Sequence, residues 1–277
     1  MYDLQTKRHS LSHVMSQAVI SLFPDIKILR WVGPAIDTGF YQDFDFGDFT
    51  LTEEHLKDIE KKMKQLLKQN QLFEMTTRPI DDEISRFKSE GDVYKLELAE
   101  DLKKDGETTL SFCINKMQDG RVAYEDMCKG PHVDKMSQLD ENSFKIEKIA
   151  GAYWRGDAKN KQLTRIYGVA FENREELDTY LKQIEEAKRR DHRILGKALK
   201  IFTVSDLVGS GLPLMQPKGM IMRKLIEDYL WDLHKKRGYH RVWTPHLAKE
   251  ELYQTSGHAG KYLEVMFSVF GGTSKEK

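Results

Sequence analysis

His9 and His13 stand four apart among the apolar series Leu11, Val14, Met15, Ala18, Val19 and Leu22. Apolar residues at those steps form one face of an amphipathic helix, expected from near Lys7 to just before Pro24. Residues i and i+4 of a helix lie one above the other, so both imidazoles flank the apolar stripe and can face one cleft. No glutamate follows the first histidine, so the pair lacks the general base of an HExxH metalloprotease. Far along the chain, Cys128-Lys-Gly-Pro-His132 sets a thiol and a third imidazole on either side of a turn. Three imidazoles and a thiol are zinc ligands by type. They suit equally a cluster that handles water and protons. The bland alternative makes Cys128 a small buried hydrophobe and the histidines satisfied surface groups. Spacing alone leaves these readings open.

The elements that would carry these groups follow from composition and periodicity. From Ile28 to Phe49 the text is rich in glycine and aromatics, and the alternation in YQDFDF predicts strands and tight turns. A second helix is expected from Thr52, with Glu53 and Glu54 in its first turn and Leu56, Ile59, Met63, Leu66 and Leu67 on its apolar face. Short helices follow around Asp82–Ser89 and Tyr94–Leu102. TLSFCI and RVAYEDMC, separated by Asp119 and Gly120, read as a hairpin whose second strand delivers Cys128. SFKIEKIAGAYWRG is a further strand, and a mixed α+β domain closes near residue 170. The stretch 173–199 is a long, highly charged helix of the kind that connects domains. Beyond the Gly- and Pro-rich VGSGLPLMQPKG come a helix led by Pro217 and ended by Gly238, then HRVWTP, a strand stopped by Pro245.

A chain of 277 residues exceeds the usual single domain. With 39% hydrophobic and 32% charged residues it is a soluble globular protein rather than a disordered one. No apolar run approaches the roughly 20 residues that span a bilayer, which excludes membrane insertion. Two cysteines and no secretory apolar core at the N-terminus point to the reducing cytoplasm. The 44 basic and 44 acidic residues balance, so there is no global signature of nucleic-acid binding. Local basic runs exist at Lys61, Lys62, Lys64 and Lys68, at Lys188, Arg189, Arg190 and Arg193, and at Lys235, Lys236 and Arg237. Taken alone they read as solvated helix faces.

The strings HSLSHVMSQAV, VGPAIDTGFYQDFDF, YEDMCKGPHV and KIAGAYWRGDAKNKQLTRIYGVAF stand in the order and approximate spacing of the second N-terminal domain of threonyl-tRNA synthetases. Alanyl-tRNA synthetases share the HxxxH and CxxxH pairs, but CKGPH and GAYWRGD resemble the threonyl branch. RRDHRILGKAL resembles that family's linker, and residues 216–268 resemble the start of its class II aminoacylation domain with motif 1. The resemblance implies an α+β editing domain of mixed helices and antiparallel sheet over 1–170, a linker helix over 171–199, and an incomplete class II domain over 200–277. It implies a threonine-tRNA ligase, with the segment present hydrolysing mischarged Ser-tRNA(Thr).

By the same resemblance His9, His13, Cys128 and His132 line the hydrolytic pocket, joined by Lys95 in VYKLE and Asp126 in EDMC. The imidazoles would position or deprotonate water, since histidine titrates near neutrality. Lys95 would stabilise an oxyanion or hold ribose and phosphate. Asp126 would bind the substrate ammonium or orient a base. For the aromatic string Phe40–Phe46 the default reading is core packing, the alternative being that Tyr41 faces the terminal adenosine. Zinc on His9, His13, Cys128 and His132 is the metal reading, and ordered water alone is the other. The full-length family members use ATP with magnesium, and zinc, at sites expected beyond residue 277. They pair as homodimers through the class II domain, and the partner is tRNA(Thr). Many members carry a ubiquitin-like domain before this helix, which here begins almost at Met1, whether naturally or by trimming; the ending SVFGGTSKEK reads as a cut. The fragment is not expected to aminoacylate. Rival readings are an alanyl-type trans-editing deacylase and a non-catalytic tRNA-binding or dimerisation module.

Overall fold

Asp3 starts the first helix. Its carboxylate accepts from the Thr6 amide at 2.7 Å, which satisfies one of the donors a helix leaves bare at its N-terminus. The helix, α1, runs Leu4–Leu22, three residues ahead of the sequence expectation. It is buried on far more than one face. Beside Leu11, Val14, Met15, Ala18 and Val19, the polar Ser10, Ser12, His13, Ser16 and Gln17 are enclosed. The computed structural model from which these facts come describes residues 2–31, 33–262, 265–267 and 269. The last part of SVFGGTSKEK, 270–277, lies outside them.

Two compact units result, the first running to Arg189 and the second from Arg190. In the first, strands β1 (Leu29–Arg30), β2 (Ala35–Ile36) and β3 (Gly39–Asp45) precede helix α2 (Glu54–Lys68). Strand β4 (Leu72–Pro79), helices α3 (Ile80–Glu90) and α4 (Val93–Lys104), and strands β5 (Thr109–Lys116) and β6 (Val122–Met127) come next. Strands β7 (Phe144–Tyr153) and β8 (Gln162–Ala170) and helix α5 (Arg174–Arg189) complete the unit. One antiparallel sheet has the order β1-β3-β8-β7 with β2 also on β3, and a second has the order β4-β5-β6.

The larger core lies between the first sheet and the helices α1 and α2, with Phe40, Phe44, Phe144 and Ile166 facing Met15, Ile59 and Met63. Phe40 reaches this core because its neighbour on β8 is glycine. A Cβ on Gly168 would fall 2.4 Å from the Phe40 ring. A smaller core joins α3, α4 and β5 through Ile80, Phe87, Ala99, Leu110 and Phe112. Gly91, left-handed at φ 67°, ends α3 and lets Asp92 start α4 by accepting from the Lys95 amide at 3.1 Å.

The second unit holds helix α6 (His192–Ala198), the short pair β9 (Phe202–Thr203) and β10 (Leu214–Met215), α7 (Pro217–Lys235), α8 (Glu250–Thr255) and α9 (His258–Lys261). Two expectations need correcting. The charged stretch 173–199 is not one helix. It divides into α5 and α6, and Asp191, whose carboxylate accepts from the Arg193 amide at 2.7 Å, caps a new start. HRVWTP is not a strand among the described residues. A strand needs a neighbour for its amides, and the paired strands described in this unit are β9 and β10 alone. Val242 and Trp243 are 79% and 89% exposed. Among the described residues no helix is long and apolar enough to cross a membrane.

Candidate active site

All six expected site residues converge. Helix α1 supplies His9 and His13 one turn apart, the end of β6 supplies Asp126 and then Cys128, the turn after it supplies His132, and α4 supplies Lys95. His9, His13, Lys95, Asp126 and Cys128 line one cavity of about 690 Å³, with Arg30, Trp31 and Gln42 on one side and Leu98, Leu102 and Leu110 on another. His132 stands behind Cys128, its ring 4.3 Å from that of His9 and 4.4 Å from that of His13.

Proton counting fixes much of the cluster. Ser10 donates its hydroxyl proton to the Thr6 carbonyl at 2.9 Å and accepts from the Val133 amide at 3.0 Å. Its oxygen also lies 3.3 Å from His132 Nδ1. With the hydroxyl proton spent, Nδ1 of His132 must be the donor there and Nε2 carries the lone pair. His9 Nδ1 stands 3.2 Å from the Pro131 carbonyl, which only accepts, so its Nε2 is likewise a lone pair. Both Nε2 atoms point at Cys128 Sγ, at 3.3 Å from His9 and 3.2 Å from His132. One thiol proton can serve one of them. The other is left as an acceptor beside the cavity.

Burial keeps these groups uncharged. It pulls His13 down to about 3 and His132 to about 2, and lowers His9 despite the opposing pull of the Pro131 carbonyl. It pushes the Cys128 thiol up to about 11. The expectation that these imidazoles titrate near neutrality is therefore wrong for His13 and His132, because desolvation penalises the imidazolium. As candidate metal ligands the four side chains present donor atoms all within 4.8 Å of one another. His13 Nδ1 is buried without a hydrogen-bond partner. Donor types and spacing thus fit a zinc ion.

The opposite wall is ionic. Lys95 is 6% exposed, and its Nζ lies 2.6 Å from Asp126 Oδ1 and 3.8 Å from Asp92. The Met127 amide also donates to Oδ1 at 2.9 Å, while the Tyr124 hydroxyl donates to Oδ2 at 2.8 Å. Burial pushes the Asp126 carboxyl up, but the charges of Arg30 and Lys95 outweigh it and hold the group well below the usual carboxylate range. Sequence reasoning missed Arg30 and Tyr124. A lone arginine three residues before a glycine carries no spacing signal, whereas Asp92 could have been found as a helix cap.

Other expectations fall elsewhere. Tyr41 does not line the cavity. It is covered by the Arg165 guanidinium at 3.8 Å and lies 5.7 Å from the Tyr167 ring. The basic runs, read in the sequence as solvated helix faces, lie outside the cavity lining. In the α2 run, Lys64 pairs with Glu60 at 2.7 Å and Lys68 with Glu141 at 3.2 Å.

Residues 114–167, from the end of β5 into β8, match the family described as the threonyl and alanyl tRNA synthetase second additional domain. That stretch contains Asp126, Cys128 and His132 but neither α1 nor Lys95. Similarity to curated threonine–tRNA ligases extends further. The enzyme of Halalkalibacterium halodurans is 46% identical over 273 residues, covering 99% of this chain and 41% of the relative. That of Gloeobacter violaceus is 44% identical over 269 residues, covering 97% and 41%. That of Borreliella burgdorferi is 43% identical over 264 residues, covering 95% and 43%. The chain spans about two fifths of the length of these relatives. Along the part of those enzymes that it spans, the chain is similar to threonine–tRNA ligases from end to end.

Proposed function

We propose that the cavity hydrolyses the ester of mischarged Ser-tRNA(Thr), as the proofreading site of a threonine–tRNA ligase. The observation that carries this is the meeting, in one cavity, of neutral histidine acceptors on α1 with a buried Lys95–Asp126 pair. The reaction is attack of water on the ester carbonyl carbon. The bond to the terminal ribose oxygen breaks, that oxygen takes a proton, and serine and tRNA leave.

Each residue has work to do in it. With the thiol proton serving His132, the Nε2 lone pair of His9, which lines the cavity, accepts from the attacking water and orients its oxygen. With their affinity for protons depressed, these imidazoles are positioning acceptors more than strong bases. Lys95 keeps ammonium hydrogens beyond the one aimed at Asp126 and supplies positive charge to the developing oxyanion. Asp126, with donors already on both oxygens, orients Lys95. A zinc ion, if bound, would be held by His9, His13, Cys128 and His132 and would lower the pKa of a bound water.

The need for such a site follows from energetics. Serine and threonine differ by one methyl group, and a pocket gains only about 1 to 3 kcal/mol from one. A second sieve multiplies that discrimination. In this reading 1–170 is the editing domain, 171–199 the linker and 200–277 the beginning of a class II domain. The complete protein would charge tRNA(Thr) using ATP and pair as a homodimer. The exposed Ile221, Leu225 and Tyr229 of α7, each more than 60% exposed, support further burial of that part.

The test is release of amino acid from Ser-tRNA(Thr) and Thr-tRNA(Thr) incubated with the chain. Serine should leave far faster than threonine. His13→Ala, with the fold intact, should slow it by about 10²- to 10⁴-fold. Serine release no faster than in buffer overturns the reading, and equal release from tRNA(Ala) favours the alanyl-type deacylase.

A further inference from the structure

Strand β1 brings in a cation that the cluster of histidines and cysteine does not explain. Arg30 pairs with Phe44 of β3, which fixes its backbone. Its side chain, 17% exposed, runs back toward Asp126, with Nε 3.7 Å from Oδ2. Its guanidinium lies 5.1 Å from the centroid of the Tyr124 ring. The other face of this arrangement matters as much. The Tyr124 ring stands edge-on to His13 at 6.0 Å, and its hydroxyl donates to the same Oδ2 at 2.8 Å.

The carboxylate of Asp126 is thus divided. Oδ1 takes Lys95 and the Met127 amide; Oδ2 takes Tyr124 and faces Arg30. With Asp92 near Lys95, the two cations and two anions balance. Removing Arg30 would leave Lys95 as the nearest cation to Asp126 and take the guanidinium from the Tyr124 ring. A guanidinium can stack and pair at once, because it is planar and presents donors along its edge; an ammonium can pair but not stack in this way.

We propose that Arg30 is a positioning residue for ester hydrolysis at this site, holding Oδ2 of Asp126 and the Tyr124 ring so that Lys95 and His13 keep the places from which they meet the substrate. The inference rests on the hydrolytic reading above. Arg30 acts through Asp126 and Tyr124 and does not itself bind the ester.

The experiment is steady-state serine release from Ser-tRNA(Thr) by the unaltered chain, Arg30→Met, Arg30→Lys and Tyr124→Phe, with thermal unfolding of each. Arg30→Met should lower kcat by about 10- to 100-fold and leave KM unchanged. Arg30→Lys should recover part of that loss, since it restores the charge but not the stack. Tyr124→Phe, which deletes only a hydroxyl, should lower kcat with KM again unchanged, and it carries the test if Arg30→Met does not fold. A rise in KM at constant kcat would mean that Arg30 holds substrate directly and would overturn the proposal. Unchanged kcat in a folded Arg30→Met overturns it equally. Failure of the unaltered chain to release serine overturns the hydrolytic reading and this inference with it, whereas hydrolysis indifferent to Arg30 overturns this inference alone.

Discussion

Replacing Asp126 by asparagine should destabilise the first unit more than replacing Lys95 by methionine. Asp126 is one buried anion shared by two cations, Lys95 at 2.6 Å and Arg30 at 3.7 Å, with Tyr124 and the Met127 amide as further donors. Asparagine keeps the shape and one acceptor but no charge, so Arg30 loses its carboxylate at 3.7 Å and Lys95 keeps only Asp92 at 3.8 Å. Breaking a buried pair in this way costs about 3–5 kcal/mol. Lys95→Met removes one cation and leaves Asp126 its other three partners, a loss closer to the roughly 1.5–3 kcal/mol of one charged hydrogen bond. Because the chain has two units, a single unfolding curve does not isolate this effect. Amide hydrogen exchange in β5 and β6 does, as those strands carry the site. Asp126→Asn should lower protection there by about two to four orders of magnitude, and Lys95→Met by clearly less. Equal losses, or a larger one from Lys95→Met, would refute the idea that Asp126 is the shared anion.

Acid should weaken the same unit early. His13, held to about 3, and His132, held to about 2, refuse protons that the unfolded chain accepts below about 6.5. Stability is therefore lost as pH falls from about 6.5, by up to about 1.4 kcal/mol per pH unit for each group, or roughly 2 kcal/mol from His13 alone at pH 5. Amide protection in α1 that stays flat between pH 7 and 5 would contradict this, and His13→Gln should flatten it in part. For the same reason the rate of serine release should show no limb near pH 6.5; a bell centred there would return the histidines to ordinary general bases. On the water reading hydrolysis should survive exhaustive chelation, and activity abolished by chelator and restored by zinc would replace it with a metal reading on His9, His13, Cys128 and His132.

The sequence was most readable where one period dominated. The apolar steps of α1 and α2 and the Asp119–Gly120 hairpin signal led to elements now found as Leu4–Leu22, Glu54–Lys68 and the β5–β6 pair. Strand β4 was not recognised, since LFEMTTRP alternates weakly and its residues are mostly exposed. HRVWTP failed for the opposite reason, because local strand character forms nothing without a partner edge. The site was legible as types and spacings, two pairs four residues apart. What spacing could not supply was depth. Lys95 looks like any charged helix residue, and only the fold, which sets its Nζ 2.6 Å from Asp126, makes it a buried ion. Arg30 belongs to a two-residue strand with no motif at all, placed by its register on Phe44.

Depth is also what joins the two walls of the cavity into one device. Had the histidines been exposed, they would titrate near neutrality and share their water with bulk solvent; buried, they remain fixed acceptors whose tautomers are set by Ser10 and the Pro131 carbonyl. In the proposed hydrolysis the charge for an ester's developing oxyanion would come from Lys95, whose own burial is tolerable only because Asp126 stands 2.6 Å away. That carboxylate would be drawn wholly toward Lys95 if nothing held its other oxygen. The neutral wall therefore calls for the cation, the cation for the anion, and the anion for Tyr124 and Arg30 behind it. Each step follows from the cost of burying unpaired polar groups.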